Sequence, residues 1–195
     1  MTLQEFNRLL AQKRRELDDL MRRKLPDKVG NMAKAHYQDN IRERQGFLNN
    51  GVKKWDKTKR QQSGSTSAAA NYGALQSSSN HLYSSIKYIP SDYRVRVAND
   101  LKYAPYHNWG ATIPITPRMR GYFWYKYSTS PGQKKGKKTV ESDEQKKWKA
   151  LALSTKKKTS FKIPQRQFLG ESKELNDEIL QTMDNEIRNV INRNS

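Results

Sequence analysis

The chain has 195 residues, 34% of them hydrophobic, with a formal charge of +19 and a mean hydropathy of −1.07. That length supports one domain with an appended helical arm, but the apolar content allows only a small core, so part of the surface is expected to order against other subunits. The absence of cysteine excludes a disulfide scaffold and Cys-type zinc sites. No apolar run approaches the ~20 residues of a membrane span, and the first residues lack a signal-peptide pattern, so the expectation is a protein made in the cytoplasm with no membrane partner.

At the N-terminus, Leu3, Phe6, Leu9, Leu10, Leu17, Leu20 and Met21 recur at helical spacing behind a capping pair, Thr2 and Glu5. The pattern fits either a helix that covers its own domain or one that packs on a neighbouring subunit. Pro26 is expected to end this helix and start a second one, with Val29, Met32, Ala33, Tyr37, Asn40 and Ile41 on one face and Gly46 as its stop. His36 has no acidic or cysteine partner at ligand spacing and reads as structural. Residues 46–80 show no periodicity and read as a long loop anchored by Phe47 and Trp55. Residues 1–45 are thus expected as a helical arm and 46–195 as an α+β domain.

Alternation over residues 93–98, Tyr-Arg-Val-Arg-Val-Ala, predicts a strand with Arg94 and Arg96 on one face and Val95 and Val97 on the other. Pro90-Ser91-Asp92 makes the turn from a preceding strand, giving an antiparallel hairpin. A short helix follows, in which Tyr103 and His107 are i, i+4 neighbours and Gly110 is the stop. His107 is the one candidate for chemistry there. No serine, carboxylate or second histidine stands where it would orient that ring, so a packed, hydrogen-bonded role is expected.

Thr116-Pro117 opens a further helix with an aromatic run, Tyr122-Phe-Trp-Tyr125, suited to a subunit interface or to stacking on single-stranded bases. Residues 128–141 are rich in Pro, Gly, Ser and Lys and are expected to be mobile or ordered by contact. One or two helical turns over 146–153, a strand over 161–163 ended by Pro164, and a last helix through Leu175, Ile179, Met183, Ile187 and Val190 complete the chain. The predicted fold is α+β, with a small antiparallel sheet (residues 86–90, 93–98 and 159–163) covered by helices from both termini and with long basic loops.

The charge is blocky. From Lys126 to Arg166 there are thirteen Lys and Arg against three acids, a surplus of ten, whereas beyond Gln167 acids exceed bases by three. Lys134, Lys135, Lys137, Lys138, Lys156, Lys157 and Lys158 are therefore candidates for contact with DNA or with an acidic protein surface. No metal-ligand cluster, phosphate-cradling glycine loop or nucleophile–base pair stands out, so neither a cofactor nor catalysis is expected.

Two motifs carry a resemblance: Tyr103, Ala104, His107 and Gly110 after a strand, and later Ile163, Pro164, Arg166, Phe168, Leu169 and Gly170. With Phe47, Gly51 and Trp55 upstream and Leu82 to Ile86 before the strand, the order over roughly residues 37–190 resembles the phage virion morphogenesis family, the tail completion proteins of Mu-like tailed phages. Gln167 stands where proline is expected. The resemblance implies a structural virion protein of the head–tail junction, without catalysis, that forms a ring finishing the tail so that a filled head can join. Six copies, matching a tail, are preferred, and twelve, matching a portal, are the alternative. Its implied partners are other copies of itself, further neck, portal-adaptor and tail proteins, and DNA in the lumen. The alternative from composition alone is a basic, non-specific nucleic-acid-binding protein.

Overall fold

The protein is described from a computed structural model, over residues 2–64, 68–135, 138–157 and 160–193. It is α+β, built of helices and small two-stranded antiparallel sheets. The chain divides into two compact units, Met1–Trp109 with Arg166–Ser195, and Gly110–Gln165.

The first unit begins with one long helix. α1 (Leu3–Asp19) opens with the expected capping box, Thr2 accepting from the Glu5 amide and Glu5 reaching back to the Thr2 amide. It passes through a π-helical segment, Leu20–Lys24, into α2 (Leu25–Asp39) and then a second π-helical segment, Asn40–Arg44. The expected break at Pro26 does not occur. The amide of Leu25 bonds to the Leu20 carbonyl, five residues back, and the widened turn leaves Pro26 in the first turn of α2, where its missing N–H costs nothing. The stop is Gln45 rather than Gly46: Gln45 takes the left-handed conformation (φ 48°, ψ 44°), and its side-chain amide donates back to the Ile41 carbonyl.

Gly46 instead begins β1 (Gly46–Leu48), which pairs with β2 (Val52–Lys54) across Asn50-Gly51, both at positive φ. The expected long loop is therefore in part a hairpin. Two single-turn helices follow, α3 (Ala68–Asn71) and α4 (His81–Ser84). β3 (Ile86–Ser91) and β4 (Arg94–Asn99) form the expected hairpin, with Ser91 opposite Arg94 and Tyr93 at φ 58° in the turn. Arg94 and Arg96 are exposed, whereas Val95 and Val97 are half-buried beneath α2. Gly30 lets the helix come this close. A Cβ there would collide with the Tyr88 ring and stand 2.9 Å from a Val95 methyl. α5 (Ala104–Trp109) follows the hairpin.

The second unit opens with β5 (Ala111–Pro114) and α6 (Pro117–Thr129), whose cap is Thr116, accepting from the Met119 amide. β6 (Gln133–Lys135) pairs antiparallel with β7 (Lys138–Val140) where a loop was expected. α7 (Asp143–Lys157) is twice as long as the expected helical turns. β8 (Ser160–Ile163) forms as expected but does not join the 86–99 hairpin. It pairs with β5, placing Ala111 opposite Ile163 and Pro114 opposite Ser160. Back in the first unit, α8 (Lys173–Asn192), capped by Ser172, packs on α1 and α2.

The core of the first unit is small, as the composition requires. Ile41, Leu82, Ile86, Ala104 and Phe168 form one buried cluster, flanked by half-buried Tyr37, Trp55, Val97 and Leu169. In the second unit, Phe123 stacks on Trp148 (centroids 6.5 Å or less from each of Trp148 and Phe161) between α6, α7 and β8.

Candidate functional site

The two sequence motifs meet in the first unit around residues 166–170, an irregular segment with no strand partner. Such a backbone needs other hydrogen-bond partners when buried, and side chains supply them. Asn108, buried on the same face of α5 as Ala104, accepts from the amides of Phe168 and Leu169 (2.9 Å each) and donates to the Leu169 carbonyl (3.0 Å). Asn40 donates to the Phe168 carbonyl (3.3 Å) and the Tyr37 hydroxyl to the Gly170 carbonyl (2.8 Å). The Arg166 amide donates to the His107 carbonyl (2.7 Å). The Phe168 ring is thereby driven into the core and is 0% exposed. Downstream, Glu174 accepts from the amides of Asn50 and Gly51 (3.1 and 2.8 Å), and these bonds hold its carboxyl below the usual range.

Of the motif residues, Ala104 lines the Phe168 pocket, whereas Trp109, which stands between the motif's His107 and Gly110, does not. It is 69% exposed, and Tyr103 also faces largely outward. Gly110 takes φ +74°, and a Cβ on it would stand 3.1 Å from the Gln165 nitrogen, so the second unit begins and ends at one narrow point. Pro164 is exposed at the end of β8. Gly170 leaves room for the Gln167 amide and the Phe47 ring.

His107 is half-buried, edge-on to Tyr103 (centroids 6.0 Å), and its Nδ1 is buried without a hydrogen-bond partner, not bonded as expected. Burial first, and then the Arg166 charge, push its pKa down. His36, on α2, is buried edge-on to Tyr37, and burial holds its pKa down as well.

His107, Arg166, Arg60, Lys59, Thr58 and Tyr103 line a cleft of about 470 Å³. Arg60 is fixed by the carbonyls of Gly73 and Gln76 (2.6 Å each) and Arg166 by that of Asp56 (3.3 Å). Burial lowers the pKa of Arg166, the Asp56 carboxylate opposes that shift, and the nearby charge of Arg60 adds to the lowering.

Of the basic candidates in the second unit, Lys137 and Lys158 lie outside the described residues. For Lys134, Lys135, Lys138, Lys156 and Lys157 only the backbone is described, in β6, β7 and α7. Tyr122, Trp124 and Tyr125 on α6 are exposed. Among the described residues no group of three or more His, Cys, Asp or Glu side chains is placed to hold a metal ion, and no helix is long and apolar enough to cross a membrane.

The sequence reading passed over Asn108, the residue that joins the two motifs. Its signal was its spacing, four residues after Ala104, which puts an amide on the buried face of a short helix. Comparison with protein-family models, known proteins and solved structures gives no match.

Proposed function

We propose that the chain is a structural subunit of a phage head–tail junction, assembling with further copies of itself into a ring that finishes the tail. The observation that carries this reading is α1. Across its 17 residues no side chain is buried, and Leu3, Phe6 and Leu10 are 75%, 41% and 52% exposed. A regular, capped amphipathic helix that leaves the first part of its apolar stripe in water, ahead of the part against α8, is matched to a surface outside its own subunit. A head-to-tail ring requires two different patches on each subunit. Exposed Tyr106 and Trp109 on α5 supply the second, and both patches belong to the first unit. The ordered motif resemblance supplies the biological setting, and the mechanism is complementary surfaces without a catalytic step.

The test is a triple substitution, Leu3→Asp, Phe6→Asp and Leu10→Asp. Because these side chains are exposed, the subunit keeps its circular dichroism and melting temperature. Self-association in sedimentation and incorporation into tailed particles are both lost. Normal assembly of the variant overturns the reading.

A second reading, non-specific binding of nucleic acid, rests on the surplus of ten positive charges between Lys126 and Arg166. It requires duplex affinity that falls steeply with salt and that disappears when the lysines at 134–158 are replaced by glutamine.

A further inference from the structure

We propose that the cleft lined by Arg60, His107 and Arg166 binds a phosphate group. The proposal concerns the first unit alone and does not rest on ring assembly.

Arg60, His107 and Arg166, three positively charged or chargeable side chains, line one cleft of about 470 Å³ together with Lys59, and no carboxylate is among its lining residues. Each of the three carries a buried side-chain nitrogen with no hydrogen-bond partner: Nε of Arg60, Nε of Arg166 and Nδ1 of His107. Elsewhere among the described residues only His36 and Arg120 have such an atom, so the unpartnered donors concentrate here. Both guanidinium groups are pinned from behind by neutral carbonyls, those of Gly73 and Gln76 for Arg60 and that of Asp56 for Arg166. Neither forms an ion pair among the described residues. The carbonyls fix the position of the charges, and the Asp56 carboxylate near Arg166 offsets only part of the effect of burial.

Like charges held together with shielded donors are costly unless an anion completes the cluster. A phosphate fits the arrangement better than a carboxylate does. Its several oxygens accept from separate guanidinium groups at once, whereas one fork already satisfies a carboxylate. The Thr58 hydroxyl, the Tyr103 ring and Lys59 stand at the same cleft. The volume also holds part of whatever bears the phosphate. Free phosphate and a nucleic-acid backbone phosphate share this chemistry.

The experiment uses the full chain with sodium phosphate as probe, against sodium chloride at matched ionic strength, read by calorimetry and by the imidazole nitrogen shifts of His107. Saturable binding with a shift at His107 is expected. Arg166→Gln should weaken it about ten-fold, the loss expected for one charge-assisted contact. Should that variant be poorly folded, Lys59→Gln and His107→Gln, which carry none of the side-chain bonds that hold residues 166–170, must each weaken phosphate binding while preserving the fold. Competition by a short duplex identifies a backbone phosphate as the source, and binding without such competition identifies free phosphate. Either result supports the proposal. Indistinguishable behaviour in phosphate and chloride overturns it, as does undiminished phosphate binding in the variants or stronger binding of hexaglutamate than of phosphate.

Discussion

Replacing Asn108 with leucine tests the hydrogen-bonded clamp on residues 166–170 most sharply, because the branched shape is kept and all the polar atoms are lost. Asn108 satisfies two amides and one carbonyl of residues 168 and 169. A buried group left without a partner costs about 1–3 kcal/mol. The Phe168 amide bears the full penalty, since its residue is wholly buried, while half-buried Leu169 recovers part of its loss from water. The expected destabilisation is about 3–5 kcal/mol, a large share of the ~5–15 kcal/mol that a domain has. Phe168→Ala, which empties the pocket formed with Ile41, Leu82, Ile86 and Ala104, should cost a similar ~3–5 kcal/mol. Both changes free the same segment, so the double variant should fall short of additivity by more than about 1 kcal/mol. Urea denaturation followed by tryptophan fluorescence measures all three. An Asn108→Leu protein within about 1 kcal/mol of the parent would refute the idea that side-chain bonds hold this segment.

Gly30→Ala should destabilise the protein even though alanine is the better helix former by about 1 kcal/mol. The new methyl meets Tyr88 and Val95, and overpacking of this kind costs about 1–3 kcal/mol, so a raised melting temperature would contradict the tight approach of α2 to β3–β4. Stability should also fall as pH drops from about 7 towards 5. Burial lowers the folded-state pKa of His36, so the unfolded chain takes up the proton first, and the contribution present above the unfolded value near 6.5 is lost as pH falls towards the folded one. His36→Gln should flatten that slope, as judged by melting curves across the range. Finally, excising residues 111–164 and joining the ends with a short glycine linker should leave the first unit folded. The His107 carbonyl and the Arg166 amide are already 2.7 Å apart, and Gly110 touches Gln165. Loss of the near-ultraviolet dichroism of the remaining aromatics would contradict this.

What was legible in the sequence was local. Alternation and a turn signal located the 86–99 hairpin, and caps at Thr2 and Thr116 placed two helix starts. The Asn50-Gly51 turn of the first hairpin was equally legible, but strands of three residues are too short to show alternation. Pro26 misled because a π-helical turn absorbs its missing amide, and nothing in the surrounding residues announces that turn. The partner of β8 was missed because pairing at a separation of about fifty residues leaves no local trace. For the same reason the clamp was only half visible. Both motifs were visible, but the bonds that join them run from Asn40, Tyr37 and Asn108, polar residues whose burial is decided by tertiary packing.

The most direct test of ring assembly is the native mass of the purified protein, measured alone and after mixing with isolated tail tubes. A closed ring is expected, six copies by preference and twelve as the alternative, with the exposed stripe of α1 at each subunit boundary. A mass of one chain, about 22.8 kDa, in both samples would contradict the account.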